Sequence, residues 1–299
     1  MVESVQNLQH RAERHPVGVR AKALFKKVMA DDVPGLAAEI AYYWVFALPP
    51  LMVLVVLTGA WLDRFADVNV VGQLRQQVNE RAPADAASVI NRVIDGAVAE
   101  VGGGAASVGV LVAATIALWS GSNGVGALMK AFNRAYDIEE ARPFVRKRLV
   151  AIGLTLLLVA ILNGAFLLLV YGQRIGTWLA DRIGAGTVFD VIWGLGRVPF
   201  ALVAIVAMLA VLYRIGPNAE IAMKAVIKGA VLATVLWIIA SLGFGVYLRF
   251  SDPGSAYGVL GSVIVLMFFF YLTALIFLVG AEVNSMLAKE KEGDADYLR

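Results

Sequence analysis

"YGVLGSVIVLMFFFYLTALIFLVGAEVN", Tyr257 to Asn284, carries no charged side chain before Glu282. A hydrocarbon core about 30 Å thick is crossed by roughly 20 apolar residues in a helix, so this stretch is long enough to span a bilayer. It is also continuously apolar, which excludes the alternating pattern of a membrane barrel strand. In lipid only helices and closed barrels satisfy their own backbone groups, and the segment is therefore expected to be a helix from about Tyr257 to Leu287.

Five further segments of this kind lie upstream. They run from about Leu36 to Ala60, Ala105 to Gly121, Leu149 to Tyr171, Val198 to Tyr213 and Ala225 to Leu248. Composition agrees: 60% of the 299 residues are hydrophobic, 16% are charged, and the mean hydropathy is +0.74. A soluble chain runs nearer about 45–50% apolar and 25% charged. The expected class is an all-α polytopic membrane protein with six transmembrane helices.

Lysine and arginine fall unevenly between the two sides. Eighteen of the 26 lie in the N-terminal segment, the loops after spans two and four, and the tail; seven lie on the other side, and Arg197 falls within span four. By the positive-inside rule both termini are cytoplasmic. The chain then divides into a basic arm (1–35), a six-helix domain (36–287) and a cytoplasmic tail (288–299). The arm has no apolar signal-peptide core. Its Leu24, Phe25, Val28 and Met29 share a helical face, with Arg20, Lys22, Lys26 and Lys27 elsewhere, which suits either an anionic leaflet or solvent.

Residues 61–104 are too long for a simple connector. Val89, Ile90, Val93, Ile94, Ala97, Val98 and Val101 form one helical face, so one or two amphipathic helices are expected to cap the outer side, closed by a glycine hinge at Gly102, Gly103 and Gly104. Residues 122–148 form a cytoplasmic amphipathic loop. Here Gly121, Ser122, Asn123, Gly124 and Gly126 interrupt the apolar run, and Val125, Leu128, Met129, Phe132 and Tyr136 resume it on one face of a short helix.

The parts of an enzyme are missing. The chain has no cysteine, and its two histidines, His10 and His15, both lie in the arm. There is no HExxH or GxSxG, so zinc hydrolysis and nucleophilic triads lack their residues. Gly121, Gly124 and Gly126 are spaced as GxxGxG, and Lys130 is not preceded by glycine, so neither nucleotide fingerprint is met. No catalytic residue, metal ligand or cofactor is expected, and no nucleic-acid partner.

What stands out instead is polar chemistry near lipid. Glu39 and Glu282 sit about one turn from the cytoplasmic ends of spans one and six. Lys130 and Arg134 follow span two on the same side, so either carboxylate is able to pair with either cation; Asn123 belongs to the same polar turn. The bland alternative is a set of helix-end residues reaching the interface. Arg197, seven residues after Asp190, faces an outward cavity or marks the start of span four. Pro49 and Pro50 remove two backbone donors inside span one and are expected to kink or break it, freeing carbonyls that need new donors.

Four blocks in order, 36–56 (LAAEIAYYWVFALPPLMVLVV), 118–149 (LWSGSNGVGALMKAFNRAYDIEEARPFVRKRL), 212–218 (LYRIGPN) and 257–284, resemble the YihY/BrkB family of bacterial inner-membrane proteins. The family pattern has Ser-Leu-Phe-Pro where this chain has Ala47, Leu48, Pro49 and Pro50, and tryptophan where Phe269 stands. The resemblance implies six transmembrane helices in a bacterial inner membrane. It also brings the labels ribonuclease BN and virulence factor, and a suggested role in envelope transport or lipid export. The residues give the ribonuclease label no acid/base or metal site. The expectation is a non-enzymatic membrane protein that moves an amphipathic envelope molecule or lipid, with a scaffold protein as the alternative. Its partners are membrane lipids and an envelope substrate. A single GxxxG, Gly254 to Gly258, leaves the oligomeric state open.

Overall fold

The computed structural model describes residues 16–66, 69–81, 84–102, 106–161, 186–251 and 253–292. His10 and His15, the hinge glycines Gly103 and Gly104, the second half of the expected third span and the last residues of the tail lie outside them. Every regular element in the described residues is an α-helix. They are α1 (Pro16–Ala30), α2 (Val33–Ala66), α3 (Val70–Arg81), α4 (Ala84–Gly102), α5 (Ala106–Ala135), α6 (residues 144–161), α7 (Gly186–Ile215), α8 (Met223–Phe250) and α9 (Pro253–Glu292).

Among these, three stretches are long and apolar enough to cross a membrane: Val198–Ile215, Met223–Phe250 and Leu260–Glu290. Val231, Val235, Ile239, Leu242 and Val246 run down one exposed side of α8. An apolar stripe of this length facing outward suits hydrocarbon and not water.

Two features depart from the sequence expectation. α5 is one helix of 30 residues that passes through Gly121, Gly124 and Gly126 without a turn. Gly124 acts by its size: a Cβ there would meet the indole ring of Trp44 from α2. Residues 122–135 therefore belong to α5, and the loop proper starts at Tyr136. Likewise α2 is continuous through Pro49 and Pro50. Proline at position 50 deprives the Phe46 carbonyl of its normal donor four residues on, and Ser120 Oγ of α5 donates to that carbonyl at 3.3 Å. The lost intrahelical bond is partly replaced from the neighbouring helix, and no interruption of the helix is seen.

The main core lies where α2, α5, α7, α8 and α9 converge. Ile40, Leu128, Met129, Phe132, Leu209, Leu212, Tyr213, Val226 and Leu278 are all within 2% of complete burial. Phe132 and Tyr213 meet edge to face at 5.2 Å between centroids, and the Tyr213 hydroxyl donates to the Phe277 carbonyl at 2.7 Å. α8 and α9 approach so closely that a Cβ on Gly229 would strike the Gly280 carbonyl oxygen. Asn284 fixes this crossing from the side. Its Oδ1 accepts the Gly229 amide proton at 2.7 Å, and its Nδ2 donates to the Val226 carbonyl at 3.0 Å.

A smaller core lies at the other end of α2, under α3 and α4. α3 and α4 form the two amphipathic helices expected there, and Ile94 packs with Ile90, Val71 and Leu74 against Val56, Leu57 and Ala60 of α2. Asn69 is the N-cap of α3, its Oδ1 accepting the Gly72 amide proton at 3.0 Å, and Asp63 of α2 accepts the amide protons of Val70 and Val71 at 2.5 and 2.9 Å. The expected apolar face is narrower than its sequence pattern, because Val98 is exposed.

Candidate functional site

The polar chemistry gathers at the end of the bundle where α1, the C-terminus of α5 and the C-terminal turns of α9 meet. α5 stops in a Schellman arrangement: Ile138 N–H donates to the Asn133 carbonyl at 2.8 Å, and Asp137 N–H donates to the Arg134 carbonyl at 3.1 Å. Asp137 occupies the left-handed position with φ 56°, where glycine is the usual residue. The link between α1 and α2 repeats the device at Asp32, φ 52°.

A loop then folds back over the end of α7. Arg142, 8% exposed, grips Glu140 with two nitrogens at 2.7 and 2.9 Å and donates to the Gly216 carbonyl at 2.8 Å. Asn133 completes the clamp. Its Nδ2 donates to Glu140 at 3.0 Å, and its Oδ1 accepts the Asn218 amide proton at 2.7 Å. The Arg142 hydrogen bond holds the Glu140 carboxyl below its ordinary 4.5, against the opposing effect of burial. These contacts join two of the sequence blocks, 118–149 and 212–218, through Asn133, Glu140, Arg142, Gly216 and Asn218.

Beside this clamp lies a cleft of about 450 Å³ lined by Asp31, Asp32, Leu36, Lys130, Asn133, Arg134, Ile138, Glu140 and Lys147. Each of its cations has a carboxylate next to it. Lys130 donates to Glu39 at 2.7 Å, Arg134 Nε is 3.3 Å from Asp31, and Lys147 is 3.9 Å from Glu140. Lys130 and Arg134 are more than half exposed at their side chains, so these pairs contribute only about 0–1 kcal/mol to stability. Their effect is to aim cationic heads at the cleft.

Of the pairings open in the sequence, Glu39–Lys130 is present. Glu282 takes a different partner. It is fully buried, and its Oε2 lies 2.9 Å from Nζ of Lys27, which α1 inserts into the bundle end. The same ammonium donates to Asp31 at 2.6 Å and to the Ala135 carbonyl at 2.9 Å, with Asp137 at 3.7 Å. Burial pulls the Lys27 ammonium down, but Asp31 and Glu282 outweigh it and hold the group above its ordinary 10.5. Lys289 in turn donates to Asp137 at 2.5 Å.

Asn123 stands outside the cleft lining. It accepts from Arg148 at 2.7 Å, while Arg148 also donates to the Trp119 carbonyl at 2.7 Å and lies 3.7 Å over the Trp119 ring. It brackets α5 to α6. Arg197 lies inside α7, just before its apolar stretch, and its side chain is outside the described residues. Among the described residues no three Asp, Glu or His side chains converge to hold a metal ion.

The family model described as virulence factor BrkB matches residues 24–298. The ribonuclease-like protein YfkH of Bacillus subtilis (strain 168) is 34% identical over 272 residues, covering 91% of this chain and 96% of its own length. A UPF0761 membrane protein of Tolumonas auensis is 26% identical over 278 residues, 90% of this chain and 86% of its own. A UPF0761 membrane protein of Xanthomonas campestris pv. campestris is longer: at 26% identity the match covers 95% of this chain and 63% of that one. No solved structure matches the chain. With the family model covering nearly the whole length, and the bundle, clamp and cleft built from the same blocks of sequence, this chain belongs to the BrkB family of membrane proteins.

Proposed function

We propose that the chain is a non-enzymatic, multi-pass protein of the bacterial inner membrane, with six spans and both termini cytoplasmic, that moves an amphipathic envelope molecule or lipid. The observation that supports this reading is the cleft. It lies at the polar end of an apolar bundle, and Lys130, Arg134 and Lys147 present cations to it while Leu36 and Ile138 give it apolar walls. Such a lining suits an anionic headgroup with a hydrocarbon attachment. Carboxylates beside each cation hold the cleft near neutrality, and a phosphate would draw the cations forward. In this reading Glu39 is the gating partner of Lys130.

The ribonuclease-like name belongs to the Bacillus relative, and this reading takes the cleft as a binding site rather than a catalytic one. Reconstitution of the purified protein in liposomes tests the reading: an anionic lipid or amphiphile is expected to bind and to cross faster than in empty vesicles. Equal rates in both would sink it. Glu39→Gln and Arg134→Gln separate transport from a scaffold role, since transport predicts lost phenotype at unchanged abundance, and a scaffold predicts that abundance falls with phenotype.

A further inference from the structure

Arg148 breaks the charge pattern of the polar end. Among the described side chains, the other lysines and arginines that are not fully exposed to water, Lys27, Arg142, Lys147 and Lys289, each have a carboxylate as ion-pair partner. Arg148, also half-buried, has only neutral neighbours: Asn123 Oδ1 and the Trp119 carbonyl accept from it, and the Trp119 ring lies beneath its guanidinium. Two of the five N–H groups of the guanidinium are used in this way, and Nε is buried with no acceptor. A cation drawn out of water without an anion is unfavourable.

The direction of the side chain sharpens the point. α6 returns beside α5, and a Cβ on Gly121 would lie 3.4 Å from Thr155 Cγ2. Arg148 precedes Thr155 by seven residues (155 minus 148), about two helical turns nearer the polar end. Its guanidinium nevertheless bonds Trp119 and Asn123, which flank Gly121. The side chain therefore runs toward the apolar part of the bundle, whereas a charged group near a helix end ordinarily reaches the other way, to water.

We propose that Arg148 and Trp119 form a binding site for an anionic phospholipid of the leaflet at the polar end, with the lipid phosphate on the guanidinium and an acyl chain along α5. Val108, Leu111, Val112, Ile116 and Trp119 share one face of α5, and each is more than half exposed, so an apolar track leads up to the Trp119 ring. The planar fork of arginine matches phosphate oxygens with paired N–H groups. An exposed indole suits the level where hydrocarbon gives way to headgroups. The lipid is net anionic because a zwitterionic headgroup brings its own cation and leaves Arg148 without a counter-charge. The site rests on α5 lying against hydrocarbon, as in the six-span reading, and not on movement of any molecule through the cleft.

The test uses the full-length protein in phosphatidylcholine vesicles doped with a photoreactive phosphatidylglycerol, its diazirine near the glycerol backbone, and maps the adducts by peptide. Adducts are expected to gather on Trp119 and residues 144–149, and Arg148→Gln to lower them there roughly tenfold. Unlabelled phosphatidylglycerol is expected to compete about tenfold better than phosphatidylethanolamine with the same chains, and soluble glycerol phosphate not to compete. Adducts spread evenly over the polar end, undiminished in Arg148→Gln, or competed equally well by phosphatidylethanolamine or glycerol phosphate overturn the proposal. Adducts gathered at Lys130 and Arg134 instead also overturn it, and leave the transport reading standing. Where Arg148→Gln does not accumulate, the adduct map and the competition in the wild type decide between the same outcomes.

Discussion

Asn284 and Gly229 are joined by a 2.7 Å hydrogen bond between a side-chain carbonyl and a backbone amide, at the point where α8 and α9 come nearest. Both groups are buried, so the bond also supplies a partner that water cannot. Asn284→Ala leaves the Gly229 amide and the Val226 carbonyl without their side-chain partner and is expected to cost about 1–3 kcal/mol. Gly229→Ala pushes a methyl group against the Gly280 backbone and is expected to cost a similar amount, about 1–3 kcal/mol. Thermal unfolding in detergent, read by the tryptophan signal, measures both. A Gly229→Ala protein as stable as wild type would show that the helices separate at no cost.

The Phe46 carbonyl offers a sharper experiment. Its donor is Ser120 because Pro50 has no N–H. Ser120→Ala is therefore expected to destabilise the wild type by about 0.5–1.5 kcal/mol, and to cost close to nothing when Pro50→Ala has restored the intrahelical donor. The coupling energy from the double-mutant cycle is the readout. Additive effects would mean that the hydroxyl serves some other group.

Gly124 predicts a steric effect confined to one ring. Gly124→Leu fills the space of the Trp44 indole, and the ring has to leave its edge-to-face contact with Phe270. A loss of about 1–3 kcal/mol is expected, with altered Trp44 fluorescence. Gly126→Ala, where a Cβ would meet nothing within 4 Å, is the control and is expected to leave stability unchanged or slightly raised.

The clamp around Glu140 predicts a pH dependence with a definite sign. Its carboxyl is held below the ordinary 4.5 by Arg142 in the folded protein, so its contribution is fully present above that value. It is lost as pH falls through the depressed folded value. Amide exchange of residues 136–143 is expected to accelerate in that acid window. In Glu140→Gln the loop is expected to be looser at neutral pH and to lose that dependence. Acid acceleration of the same size in Glu140→Gln would assign the effect to another carboxylate.

Much of the polar end was legible in the sequence, and its limits have physical causes. Apolar length announced the helices, because lipid burial imposes a minimum run. Side and depth left four carboxylate–cation pairings open, of which Glu39–Lys130 is the one present. The helix through Gly121, Gly124 and Gly126 was not legible, because glycine reads as a turn until the Trp44 ring that fills its space is known. Lys27 was visible as a basic residue of the arm, but nothing local says that its partner lies 255 residues away on α9 (282 minus 27). Asn133, Asn218 and Asn284 carried a usable signal: each is an amide at the end of an apolar stretch, a place where backbone groups go unpaired.

Asp31 stands in two places at once. One of its oxygens receives the Lys27 ammonium, the other is near Arg134, and the residue is also part of the cleft wall. Thermodynamic linkage makes such a shared group reciprocal. An occupant that draws Arg134 away from Asp31 strengthens the hold of Asp31 on Lys27 and fastens α1 to the bundle. In the proposed function, a change that frees Lys27 is expected to leave Arg134 more tightly held and the cleft less receptive, so that the N-terminal helix and the cleft report on each other through a single carboxylate.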